Sequence, residues 1–125
     1  MRSYSVGIAA LALDATPKWV DNTLSQHTVS GVISAERGVA RRISFPALLC
    51  LAVARALQSE LGVSLANALS FAQQLELAGD EVLRRGALTL HVDRTAIQRA
   101  LELRLAEIME SAPFPQRGRP PRSKA

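Results

Sequence analysis

The stretch S-F-P-A-L-L-C-L-A-V-A-R-A-L-Q-S-E-L-G, residues 44–62, constrains this chain more than any other. Ser44 offers a capping hydroxyl, Pro46 fits the first turn of a helix, and Gly62 supplies a C-terminal stop. Between them the residues are apolar on most sides, as a helix enclosed by other elements requires. The remaining elements must therefore wrap around it. At 125 residues the chain has room for one domain, or one small domain with an appendage.

The sequence ahead of this helix contains two shorter ones. Ser5 is an N-cap signal, with Ile8, Leu11 and Ala12 at helical spacing behind it. Asp14-Ala15 reads as a tight turn, and Thr16-Pro17 starts a second helix. On that helix Val20, Thr23 and Leu24 share a face while Lys18, Asn22 and Gln26 point elsewhere. Two short helices joined by a tight turn form a helix-turn-helix candidate.

Val29, Val32, Ile33, Val39 and Ile43 follow, β-branched and punctuated by Gly31 and Gly38. They predict a small hairpin with its tip near residues 35–38. Beyond the core helix, Ser64 restarts the chain into a helix that Gly79 ends. A-L-T-L-H-V-D, residues 87–93, reads as one strand leading to a cap at Asp93. The last helix, residues 94–111, places Ile97, Leu101, Leu105 and Ile108 on one stripe, and Pro113 and Pro115 end it.

Composition removes several function classes. A single cysteine, Cys50, allows neither an intramolecular disulfide nor a cysteine-based zinc site. His27 and His91 are isolated and lack ligand spacing, so no metal or cofactor is expected. The longest apolar run, residues 47–54, is far too short for a membrane span. Residues 6–13 faintly imitate a signal core, but they are better read as the first helix, and a cytoplasmic location is expected. No Gly-rich phosphate loop, clustered carboxylate pair or Gly-x-Ser-x-Gly elbow is present, so no catalytic residue is assigned and the chain is not expected to be an enzyme.

Charge is more informative by region than in total. Residues 1–44 carry net +2, residues 45–111 net −2 and residues 112–125 net +4, against a total of +4. The globular part is nearly neutral. Basic contacts with a polyanion would have to come from the hairpin and the tail.

The order helix, turn, helix, hairpin, core helix, further helix resembles the MerR-like winged helix-turn-helix domain. Y-S-V-G-I-A-A-L-A-L-D-A-T-P-K-W-V resembles that family's opening, in which a Tyr-Thr-hydrophobic-Gly start leads into the first helix. R-G-V-A-R-R-I-S, residues 37–44, resembles its Gly-aromatic-Arg-Arg-Tyr-Ser wing end, and Q-S-E-L-G-V-S-L-A-N-A-L is similar to its link between third and fourth helices. The resemblance covers residues 4–78. It implies a mainly α fold with a β-hairpin wing, and double-stranded DNA as partner. DNA contacts would come from Thr16, Lys18, Asn22 and Gln26 on the second helix and from Arg37, Arg41 and Arg42 on the wing.

Departures from the family pattern shift the weight among these residues. Asp21 stands where the family has an arginine, and a carboxylate facing phosphate repels it. Val39 replaces the wing aromatic, and the family's metal-sensing cysteines are absent. Trp19 reads as packing rather than a DNA contact. Arg41 and Arg42 would point to opposite sides of a strand, so one of them at most is expected to face DNA.

The C-terminal part divides into two expectations. Residues 80–112 form a strand-helix segment for dimerisation or partner binding, separate from a DNA-binding domain at residues 1–79. Two copies of T-L-H-V-D would pair edge to edge through Leu90 and Val92, and the stripe Ile97, Leu101, Leu105 and Ile108 would pack against its twin, unless both fold back onto their own domain. Residues 113–125 form a basic tail, expected to be disordered alone. Within it Arg117-Gly118-Arg119-Pro120 resembles the core of an AT-hook, and Arg122 adds a further base. Such a segment lies in a narrow A·T-rich minor groove, where glycine permits close approach and proline keeps the chain extended.

Two functions follow as expectations. One is a dimeric transcriptional regulator with second helix and wing on DNA and the tail in the minor groove. The alternative is an antitoxin-like module that binds a toxin-like partner protein through residues 80–125 and autoregulates its own promoter.

Overall fold

The computed structural model describes residues 2–33, 40–79 and 81–111. It is mainly helical with small antiparallel sheets. The elements run β1 (Ser3–Ser5), α1 (Val6–Leu13), α2 (Pro17–Gln26), β2 (Val32–Ile33), β3 (Arg42–Ser44), α3 (Phe45–Leu61), α4 (Leu65–Ala78), β4 (Val82–Arg85), β5 (Leu88–His91) and α5 (Arg94–Ser111).

Each helix start has a local cause. Ser5, Thr16, Ser44 and Ser64 turn their hydroxyl oxygens back to accept the N–H groups of Ile8, Trp19, Ala47 and Asn67 at 3.0–3.3 Å. Asp93 does the same for Ala96 at 3.0 Å. These bonds satisfy amides that a helix leaves without partners, and each is worth about 1 kcal/mol. Gly62 and Gly79 close α3 and α4 in the left-handed conformation, as Asp14 does for α1.

The core helix is α3. Ala47, Leu48, Leu51 and Ala54 are wholly buried, and Val53 nearly so. It packs most extensively on α4 through Ala68, Leu69, Ala72 and Leu75, and also touches α1 and α5. Small residues on α1 (Ala9, Ala10, Ala12) let that helix approach closely.

The first sheet has strand order β1-β3-β2. β3 lies in the middle, pairing Tyr4 with Ile43 on one side and Val32 with Ile43 on the other. Ile43 is fully buried and anchors the sheet on the helices. β1 forms by pairing with β3, and Ser5 both ends that strand and caps α1; the sequence pattern shows just the cap. The expected hairpin tip at residues 35–38 lies outside the described residues.

Gly31 sits where no side chain fits. Its φ is +90°, and a Cβ there would lie 2.3 Å from the Ser44 hydroxyl that caps α3. The Gly31 carbonyl also accepts the Ser44 N–H at 2.9 Å. Backbone and cap are thus locked at one point.

Two C-terminal expectations are corrected. Residues 87–93 are not a lone strand, because β5 pairs with β4 across the two-residue turn Gly86-Ala87. Gly86 has φ +59° while Ala87 has none in the positive range, the pattern of a type II′ hairpin turn. Arginines in β4 disguised it as a charged linker. The helix stripe is also in use within the chain: Leu101 and Leu105 are buried with α1 and α3, and Ile97 and Ile108 pack on the same core. Burying that stripe inside its own molecule removes the apolar surface that a twin helix would need. Val92 is likewise buried, and the described residues share one hydrophobic core rather than two.

Candidate nucleic-acid interface

α2 is amphipathic and firmly seated. Val20 and Thr23 are buried, and Trp19 and Leu24 pack partly against the core. Lys18, Asn22 and Gln26, at i, i+4 and i+8, form an exposed stripe on the other side. None of the three makes a hydrogen bond or ion pair among the described residues. Thr16 is exposed, but its hydroxyl is engaged as the α2 cap.

Several side chains from elsewhere fix the position of α2. Arg55 of α3 donates to the Asp14 carbonyl at 3.1 Å and stacks 4.7 Å from the Trp19 ring centre. Such a cation–π contact adds about 0.5–1 kcal/mol. Arg104 of α5 reaches the Ala12 and Leu11 carbonyls at 3.0 and 2.9 Å, satisfying the end of α1. Gln73 of α4 bonds the Thr28 carbonyl at 3.1 Å, just past the end of α2. The turn between the two helices is clamped from both sides. Trp19 therefore packs, as expected.

The two arginines before α3 are committed within the fold. Arg41 donates to the Asp21 carboxylate at 2.6 Å, and its side chain is only 15% exposed. Arg42 bonds the Ser3 carbonyl at 2.8 Å and the Ser3 hydroxyl at 3.2 Å across the β1–β3 edge. The sides do differ, as alternation in a strand predicts, with Arg41 toward α2 and Arg42 toward β1. Asp21 is no open repulsive charge: the Arg41 guanidinium neutralises it. Sequence reading missed this pair because its members lie 20 positions apart.

Between the end of α2 and the first sheet lies a groove of about 190 Å³ lined by residues including Gln26, Thr28, Val32 and Arg41. Of the α2 stripe, Gln26 borders this groove. Arg37 of the expected wing contacts, and Arg117, Gly118, Arg119 and Arg122 of the tail, lie outside the described residues.

Other titratable groups serve structure. Burial, with a smaller contribution from Glu76, pushes the Cys50 thiol up to about 11. Arg94 forms an ion pair with Glu76, joining α5 to α4. Glu81 accepts from the Thr95 N–H at 3.1 Å at the start of α5, and this bond lowers its pKa below the ordinary carboxylate value; the Thr95 hydroxyl and nearby His91 add to it. His91 lies 3.6 Å from Glu81, whereas His27 closes α2 through its backbone N–H, which donates to the Thr23 carbonyl at 2.9 Å. Among the described residues no helix is long and apolar enough to cross a membrane.

No protein-family model matches the chain, and no curated protein matches it either.

Proposed function

We propose that this chain is a DNA-binding transcriptional regulator of the MerR-like winged helix-turn-helix type, acting as a dimer in the cytoplasm. One observation carries the reading: a clamped helix presents Lys18, Asn22 and Gln26 to solvent with no partner among the described residues. An α-helix is about 10–12 Å across, and the major groove is about 12 Å wide. Asparagine and glutamine match the donor–acceptor pair of adenine, and lysine reaches guanine or phosphate.

In this reading the β2–β3 pair is the base of the wing, and the Arg41–Asp21 ion pair ties the start of β3 to α2. In this reading the basic residues 112–125 supply the long-range attraction and an AT-hook-like contact in the flanking minor groove. The globular part contributes registry and base contacts. A gel shift with promoter fragments from the source genome tests it: binding that weakens steeply as salt rises supports the reading, and no binding at low salt ends it.

A second reading has its own observation. Leu88, Leu103 and Met109 are large apolar side chains exposed on the C-terminal elements. An antitoxin-like module would use such groups, with residues 112–125, to cover a partner protein while α2 autoregulates the promoter. A small co-encoded toxin whose lethality this chain relieves favours that reading.

A further inference from the structure

The β4–β5 hairpin has one apolar face and one polar face. Leu83, Leu88 and Leu90 belong to the first, which Arg85 shares, and with Phe71 of α4 and Leu61 of α3 they line a groove of about 260 Å³. Val82, Arg84, Thr89 and His91 alternate onto the other. Leu88 is 73% exposed and Leu61 58%, so the groove is open at its outer side. Phe71 is held beneath Arg85, 4.7 Å from its ring centre.

Register decides which backbone groups point outward. Arg85 and Leu88 flank a two-residue turn, so they exchange hydrogen bonds, and so do Leu83 and Leu90 two positions on. The N–H and C=O groups of Thr89 and His91 consequently face away from β4. Among the described residues the sheet has only two strands, which leaves that edge of β5 unpaired within it. An edge with leucines on one face is a template for another strand.

We propose that β5 pairs antiparallel with β5 of a second copy about a two-fold axis at Leu90. This deepens the dimer of the preceding section and rests on it. In this register Thr89 exchanges hydrogen bonds with His91 of the second copy, and each Leu90 faces its twin. Leu88 comes opposite the backbone of Val92, whose own side chain is already buried just past β5, and no like charges are directly opposed. The result is one four-stranded sheet with a continuous leucine face. Identical strands meet these demands on both sides at once, as a two-fold interface requires. The surface replaces the α5 stripe, which is already buried.

Light scattering on the full chain, without DNA, tests the proposal. The wild type is expected at twice 13.5 kDa. Thr89→Pro removes an outward N–H and leaves the β4–β5 ladder its own bonds; it is expected to give the single-chain mass with an unchanged helical dichroism signal. Leu88→Lys charges an exposed side chain and is expected to do the same, so it carries the test if the proline variant unfolds. Leu103→Lys, 62% exposed on α5, is expected to leave the dimer intact. A wild type of single-chain mass overturns the dimer as well as its surface, whereas a dimeric Leu88→Lys protein overturns the surface alone. Duplex binding in the gel shift is read separately from either result.

Discussion

Along α2, Lys18, Asn22 and Gln26 reach solvent without a partner among the described residues, whereas Arg41 and Arg42, beside them on the sheet, are each bound to their own chain. The arginines look more like nucleic-acid contacts in the sequence. In three dimensions they hold α2 and β1 in place, and the less charged helix is the surface left available. Arg55, Arg94 and Arg104 repeat the lesson, since each bonds a turn or a neighbouring helix. In a small domain with five aromatics, long arginine side chains join elements that the apolar core alone would not orient.

The largest effect expected from breaking this arrangement comes from Gly31→Ala. A Cβ there meets the Ser44 hydroxyl, and the positive φ alone costs about 1–3 kcal/mol. Thermal melting should show a marked drop, and an unchanged midpoint would mean that the sheet is free to shift away from α3.

Next in size is the contrast between Asp21→Asn and Arg41→Ala. The first releases a guanidinium beside α2 and is expected to tighten duplex binding and steepen its salt dependence. The second exposes an unpaired carboxylate there and is expected to weaken binding on every sequence without altering preference. Equal affinities for the two variants would show that this ion pair lies away from the DNA. Arg42→Ala, which removes bonds at an exposed strand edge, is expected to cost stability of at most about 1 kcal/mol and to leave duplex affinity nearly unchanged. Titration of bound duplex at constant salt would measure all three.

The smallest effect concerns pH. The folded state lowers the pKa of Glu81 from 4.5, so its contribution is present above that value and is lost as pH falls through the lower folded pKa. Glu81→Ala should be slightly less stable than wild type at neutral pH, and the gap should close on acidification. A gap that stays constant into acid would show that the Thr95 bond does not depend on the charge.

Much of the fold was legible because its signals are local. Five caps, three helix-ending turns and the apolar run of α3 are encoded within a few residues of where they act. The α2 stripe was legible for the same reason, since i, i+4 spacing is a property of one helix. Partners far apart in sequence were not. Asp21 with Arg41, Ser3 with Arg42 and Arg104 with α1 depend on tertiary placement that no short pattern carries. The α5 stripe was seen, but periodicity identifies an apolar face without saying which surface covers it. β4 was lost because Arg84 and Arg85 occupy successive positions, one on each face, and break the apolar alternation that marks a strand.

The most direct test of the central claim compares Lys18→Ala/Asn22→Ala/Gln26→Ala with wild type in one duplex-binding salt series. All three positions are exposed, so the helical dichroism signal should be retained. Sequence-specific binding is predicted to vanish, leaving only weak salt-sensitive attachment through the basic tail. Undiminished preference for the selected duplex in this folded triple variant would contradict the account and move the DNA-reading surface off α2.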